Sequence, residues 1–418
     1  MIYKYEHPEY FKDLPPVNYK DYDGNIVLFG AGMHGAMAAR LLEKQGVKII
    51  CFADNNPKKW GTKYLGYPII SPEEMRECYF NAAIIITPTA IRPIYEQVKE
   101  MGFQTILPGL FLFLEFDTAD VQDVLPEFYF EKKIDTPMIA YMRLQAEFYC
   151  LGAGALKVLN VIVTERCTLR CKECLFFMPY YKNPRDYDWD GLKKSLSRLL
   201  EHESFHFVLV EGGEIFLYKK LPELLEMLIS SPQIERIIPV TNGTIIPNKQ
   251  TLELLKNPKI DFRISNYGEH SHRLGELVDL LKLEGVPFFV KRPFWQRLAE
   301  ICPPYFRSDE EVQDTFFNCC KFSGGPFLVD GKLYKCAFAA NACNLGVIPK
   351  SYRDIVDLLS EPYDGEKMKE QINQLYKREN FIEACRYCRG RGWQTEQVPV
   401  AEQMVGVAPE LPNYRKGN

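Results

Sequence analysis

The chain has 418 residues, 46% of them hydrophobic and 25% charged, with a net charge of −4. That length exceeds what one ordinary core holds and calls for two or three domains. The weak negative charge, without any basic stripe, excludes a nucleic-acid footprint, and no apolar run approaches the ~20 residues of a membrane span. The opening Met1-Ile-Tyr-Lys-Tyr-Glu-His7 also lacks a charged-then-apolar signal pattern, so a cytoplasmic protein without a membrane partner is expected.

Residues 26–52 read as strand, glycine turn, helix and strand: Ile26-Val-Leu-Phe-Gly30-Ala-Gly32-Met-His-Gly35 leads through a helical stretch to Val47-Lys-Ile-Ile-Cys-Phe52. Gly30, Gly32 and Gly35 fit G-x-G-x-x-G, which lets backbone amides approach a phosphate at a helix N-terminus. Asp54 stands where such folds place the acid that holds a ribose. The competing reading is that the glycines only permit tight helix–strand packing. Further parallel strands are expected at Ala82–Thr87 and Thr105–Leu107, with a helix at about 91–101 between them. The continuation, Asp54 to Gly61 and Tyr64 to Glu73, is similar to the small Rossmann-like domain that precedes bacterial sugar acyltransferases and other surface-glycan enzymes. That resemblance implies a nucleotide-linked sugar as ligand, or a docking role.

Residues 121–155 read as a connecting, partly helical segment after a first domain at 1–120, and Gly152-Ala-Gly154 breaks the chain. From 156 to 300 strands alternate with helical patterns, as a β/α barrel requires. Strands are expected at Leu159–Arg166, Phe205–Val210, Ile234–Val240, Lys259–Ile264 and Pro287–Val290. Helices are expected at Gly191–Glu201, Leu221–Ile229 and near 249–256 and 272–284. The chemistry of such barrels sits at the C-terminal ends of the strands.

Thirteen cysteines are many for a reducing compartment and point to metal ligands rather than disulfides. Cys51, Cys78 and Cys150 are scattered and read as small core residues. The other ten fall at 167–174 and 302–388. Cys167-Thr-Leu-Arg-Cys171-Lys-Glu-Cys174 follows the first barrel strand, and three thiolates spaced C-x3-C-x2-C can wrap one iron–sulfur cube, leaving one iron for a small molecule.

That spacing resembles the radical S-adenosylmethionine (radical SAM) family. The resemblance implies a partial barrel, a [4Fe–4S] cluster on Cys167, Cys171 and Cys174, and S-adenosylmethionine as cosubstrate. Glu211-Gly212-Gly213-Glu214 is similar to the family's Gly-Gly-Glu-Pro turn, with Ile215 for the proline. By that likeness its backbone and the Glu214 carboxylate hold the methionyl ammonium. Thr241-Asn242-Gly243 and Ser265-Asn266, ending the next two strands, resemble the stations beside the ribose and carboxylate. Lys291 and Arg292 are candidates for pairing with a carboxylate or phosphate. His270, His272 and Tyr267 lie near the barrel mouth on location alone. Glu173 departs from the aromatic residue usual before the third cysteine, and Leu175, Phe176 or Phe177 would supply the adenine's apolar surface instead.

Cys320, Gly331 and Cys336 fit C-x(9–15)-G-x4-C around an Asp-Gly hairpin, and Cys385-Arg-Tyr-Cys388 adds a second pair. Together they resemble the twitch or SPASM auxiliary-cluster module over residues 301–418, implying a second [4Fe–4S] cluster; zinc is the competing ligand. Cys302, Cys319 and Cys343 remain as candidate hydrogen donors. The fold class is therefore α/β: an N-terminal Rossmann-like parallel sheet, a partial (β/α)6 TIM-type barrel and a small cysteine-rich C-terminal domain. The expected activity is oxidation or epimerisation of a carbohydrate or nucleotide-linked sugar in surface-glycan or aminosugar biosynthesis, with a flavodoxin- or ferredoxin-type electron donor. The alternative is radical modification of a peptide. The sequence sets no oligomeric state.

Overall fold

The computed structural model describes residues 2–89, 91–125, 135–151, 157–291, 293, 295–297, 307–316, 325–350, 355–377, 381–388, 390 and 396–408. Cys302, Cys319, Cys320 and Arg292 lie outside the described residues. The chain divides into two compact units, Met1–Leu156 and Lys157–Asn418.

The first unit contains strands β1 (Ile2–Lys4), β2 (Ile26–Phe29), β3 (Ile49–Ala53), β4 (Lys63–Tyr64), β5 (Tyr67–Ile70), β6 (Ala83–Ile86), β7 (Ile106–Leu107) and β8 (Glu115–Asp117). Its helices are α1 (Met33–Lys44), α2 (Pro72–Cys78), α3 (Ile91–Glu100) and α4 (Asp135–Ala146). Six strands form a sheet in the order β4-β5-β3-β2-β6-β7, parallel except for the β4–β5 hairpin. The runs Ile26-Val-Leu-Phe29 and Ala83-Ile-Ile-Ile86 are buried at every position, as strands covered by helices on both faces require. The Rossmann-like parallel sheet expected here is present.

One pairing and one packing contact in this unit were not foreseen. β1 runs antiparallel to β8, so the opening residues fold back on the unit. Met138, Tyr141, Met142 and Ala146 of α4 are fully buried in the same core as Leu28 and Ile85. The segment expected to connect two domains thus contributes four core side chains to the first.

The second unit contains β9 (Val158–Ile162), β10 (Phe205–Glu211), β11 (Ile234–Thr241), β12 (Phe262–Ser265), β13 (Phe288–Lys291), β14 (Trp295–Gln296), β15 (Phe327–Val329), β16 (Lys332–Tyr334), β17 (Ile355–Asp357) and β18 (Gln397–Val398). Helices α5 (Trp189–Leu200), α6 (Leu221–Ser230), α7 (Lys249–Leu255), α8 (Leu274–Leu283), α9 (Asp309–Thr315), α10 (Ala337–Leu345) and α11 (Gly365–Lys377) accompany them. The sheet order is β13-β12-β11-β10-β9-β15-β16-β17. Strands β9 to β13 stand side by side in chain order and parallel, the arrangement of a partial barrel. Two of the helices between them, α5 and α7, begin on sequence-encoded caps: Asp188 accepts from the Gly191 amide and Asn248 from the Thr251 amide.

The sixth parallel strand is not supplied next to β13. It is β15, which pairs with β9 at the opposite edge and turns through Asp330-Gly331 into β16. The Asn160 amide donates to the Pro326 carbonyl, and its buried side chain donates to the Gly325 and Pro326 carbonyls. A Cβ on Gly325 would stand 1.8 Å from the Val158 carbonyl oxygen, so glycine is what lets the hairpin reach the barrel. The sheet therefore extends across the boundary expected at residue 300.

Candidate functional site

The loop after β9 carries Cys167, Cys171 and Cys174, and neighbouring strand ends hold it by hydrogen bonds. The Leu169 amide donates to Cys167 Sγ at 3.4 Å, and Asn242 Nδ2 to the same sulfur at 3.7 Å. Asn242 Nδ2 also donates to Thr168 Oγ1, while Thr168 and Thr244 share a hydroxyl–hydroxyl bond of 2.6 Å. Gln403, far along the chain, donates from Nε2 to Cys171 Sγ at 3.3 Å. Burial pushes the Cys167 and Cys171 thiols up to about 12 and raises Cys174 as well, a cost that a metal centre reverses by binding thiolates.

The donor set fits a cluster better than a single ion. The three sulfurs do not converge within 4.8 Å of one another. One tetrahedral zinc, with Zn–S bonds of about 2.3 Å, demands that convergence. Ligands of a cube bind separate irons and stand further apart.

Beside the loop lies a cavity of about 450 Å³ at the C-terminal ends of the strands. Gly212, Gly213, Thr241, Asn242 and Ser265 line it, so those expected residues are brought together. The glycines are required by backbone approach. A Cβ on Gly213 would meet the Arg166 carbonyl oxygen at 2.0 Å, and one on Gly212 the Thr164 oxygen at 2.8 Å. The turn is pinned there by bonds from the Gly213 amide to Thr164 O and from the Glu214 amide to Arg166 O.

The carboxylate of Glu214 does not face this cavity. It is fully buried and accepts from Thr241 Oγ1 (2.8 Å), the Asn242 amide (2.9 Å) and the Phe216 amide (3.2 Å). Burial pushes it up to about 7. Its side chain braces the next strand end, and of this turn Glu211, Gly212 and Gly213 line the cavity. Asn266 Oδ1 likewise accepts from the Gly268 amide, and neither Asn266 nor Gly243 lines the cavity. Gly243 is a left-handed turn residue, φ +74°, packed on Ile264 and Ser271.

Several lining residues carry no motif. Glu211 of β10 and Arg263 of β12 form an ion pair at 3.0 Å across the intervening β11, and Trp295 and Tyr267 meet edge to face with ring centroids 5.5 Å apart. Tyr267 and Lys291, foreseen by location and charge, also line the cavity; His270 and His272 do not. Leu175 and Phe176 supply apolar wall, and so does the stem of Glu173. The Glu173 carboxylate faces Arg297 at 3.9 Å, whose guanidinium also binds Glu396. Phe177 turns away with φ +55° and packs on Phe338. Alternation of strand residues was the available signal for Glu211 and Arg263; nothing in the pattern marked Trp295 or Gln403.

Cys336, Cys385 and Cys388 are packed against one apolar cluster that includes Phe177, Phe338 and buried Cys343. Cys336 caps α10, accepting from the Ala339 amide, and Cys388 Sγ accepts from the Gly390 amide. Their sulfurs do not converge within 4.8 Å. Cys343 does not line the cavity; its thiol faces the Pro349 carbonyl at 3.9 Å.

In the first unit, Gly30 (φ +112°) packs against Pro88, and a Cβ on Gly35 would stand 2.0 Å from the Gly30 oxygen. Asp54 accepts from the Ala31 and Asn56 amides and pairs with Lys59 at 2.8 Å. Lys59 also donates to the Ala31 carbonyl. Gly32, the residue before α1, has open space around it.

Residues 22–106 match the family described as C2185-like, N-terminal, and residues 161–265 match the radical SAM superfamily. Partial likeness extends to solved structures. Native anSMEcpe with bound AdoMet and a Cp18Cys peptide is 20% identical over 32% of this chain and 42% of that one, with a TM-score of 0.27. SuiB of Streptococcus suis, bound to the precursor peptide SuiA, is 16% identical over 38% of this chain and 40% of that one, also with a TM-score of 0.27. BtrN in complex with AdoMet and 2-DOIA is 14% identical over 60% of this chain and all of that one, with a TM-score of 0.38. The chain spans less than half the length of the first two. No helix among the described residues is long and apolar enough to cross a membrane. Over residues 161–265 the chain carries a radical SAM domain.

Proposed function

We propose that this protein cleaves S-adenosylmethionine reductively and uses the resulting radical to oxidise or epimerise a small polar substrate, a carbohydrate or nucleotide-linked sugar. The observation that carries the reading is the three-thiol loop bordering a 450 Å³ cavity lined by Gly212, Gly213, Thr241, Asn242 and Ser265. When bound by Cys167, Cys171 and Cys174, a [4Fe–4S] cluster supplies the electron that cleaves S-adenosylmethionine to methionine and a 5′-deoxyadenosyl radical.

The chain's own residues bind, orient and exclude water. The backbone of Gly212 and Gly213 lines the cavity where the methionyl ammonium is proposed to sit, with Glu214 bracing the turn from behind. Arg263 and Lys291 supply positive charge for a carboxylate, a charge-assisted contact stronger than a neutral one. Leu175 and Phe176 provide apolar wall for the adenine. Tyr267 and Trp295 shield the mouth from water, and their ring faces suit the C–H surface of a sugar. A cavity of this volume lies in the range of small-molecule sites.

Cys336, Cys385 and Cys388, with Cys320 outside the described residues, form the ligand set proposed for a second cluster. A cluster held there would supply, in a dehydrogenase, an acceptor for the substrate's second electron. The first unit is proposed to hold the nucleotide part of a sugar substrate or to dock a partner, and a flavodoxin- or ferredoxin-type protein to supply electrons. Anaerobic reconstitution tests the reading: the expected result is about eight irons per chain and 5′-deoxyadenosine from S-adenosylmethionine plus dithionite. No 5′-deoxyadenosine would end the radical reading. About four irons with one zinc would end the second cluster. Solvent deuterium at an inverted carbon, without net oxidation, would select epimerisation.

A further inference from the structure

We infer that residues 396–404 are a strap that holds the cysteine loop and sets the electron affinity of its cluster through Gln403, a positioning residue. The inference rests on the radical SAM reading of Cys167, Cys171 and Cys174. The strap is anchored at two places. At its start, β18 pairs antiparallel with β14, and the Arg297 amide donates to the Glu396 carbonyl. Arg297 then binds the Glu396 carboxylate and faces Glu173, inside the cysteine motif.

At its end, the strap forms an antiparallel bridge between Gln403 and Cys171. The Met404 amide donates to Arg170 O at 2.7 Å and the Lys172 amide to Glu402 O at 2.8 Å. Lys172 and Glu402 form an ion pair across the same bridge. Ala401 takes a left-handed conformation, φ +54°, at the bend that delivers Gln403.

Gln403 uses both ends of its amide on the loop. Oε1 accepts from the Arg170 amide at 2.7 Å, and Nε2 donates to Cys171 Sγ at 3.3 Å and to Ala401 O at 2.6 Å. A side-chain amide carries both an acceptor and a donor, so it can accept from the loop backbone and donate to the sulfur together. A donor to a cluster thiolate stabilises the reduced, more negative state and raises the reduction potential, one of the protein's levers on such centres. Glu173, which breaks the usual aromatic pattern, gains a purpose here: its carboxylate ties the loop to Arg297 and through it to the strap.

The test is a redox titration of the reconstituted full chain, followed by the electron paramagnetic resonance signal of the first cluster, for wild type, Gln403→Glu and Gln403→Met. Gln403→Glu keeps the acceptor for Arg170 but puts a carboxylate oxygen where the N–H donated to Cys171 and Ala401. The potential therefore falls through the lost donor and the added charge together, and the smaller fall in Gln403→Met, which adds no charge, isolates the donor. The expected shift is about tenfold in the reduced-to-oxidised ratio at fixed potential, about 59 mV for one electron. In the metal-free chain, alkylation of Cys171 is expected to run several-fold faster in Gln403→Met than in wild type. If Gln403→Met holds no iron, Gln403→Glu decides. A potential for Gln403→Glu equal to that of wild type, with iron content intact, overturns the inference. A wild-type chain that takes up no cluster overturns the radical SAM reading, and equal alkylation rates then overturn the strap as well.

Discussion

The two units set the same local device, a glycine turn at the end of a parallel strand, to opposite uses. In the first, Gly30 and Gly35 are filled by Pro88 and by each other, and Asp54, Lys59 and Ala31 satisfy one another. In the second, Gly212 and Gly213 press against the cysteine loop on one side and open onto the cavity on the other. A glycine pattern reports close backbone approach. Whether that approach makes a site depends on the polar groups left facing a cavity, and in the second unit Glu211, Thr241, Asn242, Arg263 and Ser265 are such groups.

The largest expected contrast is between cysteines. Replacing any of Cys167, Cys171 or Cys174 by Ala should remove about four irons per chain and abolish 5′-deoxyadenosine formation. Cys51 in the first unit is fully buried, with its thiol pushed up to about 12 by burial. Cys51→Ala should leave the iron content unchanged and cost about 1 kcal/mol of stability. Iron analysis and thermal unfolding of the same preparations check both.

The glycines give the next contrast. Gly213→Ala and Gly35→Ala both place a Cβ 2.0 Å from a carbonyl oxygen, that of Arg166 and of Gly30 respectively. Each should cost about 3 kcal/mol, the scale of a backbone clash that the surroundings must absorb. Only Gly213→Ala should also lower bound iron, because Arg166 leads directly into Cys167. Gly32→Ala meets no atom within 4 Å and should cost about 1 kcal/mol or less through the poorer helix cap. Calorimetry with two resolved transitions separates the three.

Asp54→Ala sharpens the comparison from the other side. Its carboxylate satisfies two amides and Lys59, so its loss should lower the first unit's unfolding midpoint by the equivalent of about 1–3 kcal/mol. A variant of unchanged stability that loses affinity for a nucleotide-linked sugar would instead make Asp54 a ligand residue.

Much of this was legible because it is local. The strand–glycine–helix run at 26–44 and the alternation from 158 to 291 follow from periodicity, and the cysteine spacing names its own chemistry. What escaped is contact between distant short segments. Gln397-Val398 is too brief to show a strand pattern, and nothing near Gln403 signals a partner more than 200 residues earlier. Glu214 looked like a ligand from its motif; the direction of its carboxylate depends on Thr241 and Asn242, one strand away. Gly325 carried a usable signal, since a glycine at the start of a strand marks close backbone approach. The edge it approaches, β9, could not be read from it.

The smallest expected effect concerns how each unit ties a helix to a distant segment. In the first unit Arg40 of α1 pairs with Asp123 at 2.6 Å. In the second Arg198 of α5 donates to Leu358 O and to Glu361, and lies over the Tyr363 ring at 4.2 Å. Glu361 also accepts from Lys194, and these two hydrogen bonds hold its carboxyl down at about 2 against an ordinary 4.5. A depressed carboxyl contributes stability that is present above 4.5 and lost as pH falls through 4.5 towards 2. The wild-type advantage over Glu361→Gln should therefore be constant from pH 8 to 5 and vanish by about pH 2. Because the Glu361 side chain is 57% exposed, solvent screens the pair and salt should erode the difference. Urea midpoints at pH 7, 4 and 2.5, with and without added salt, measure it. Arg198 keeps its backbone acceptor and the Tyr363 ring when Glu361 is lost, so the α5 anchorage should persist in the variant at every pH.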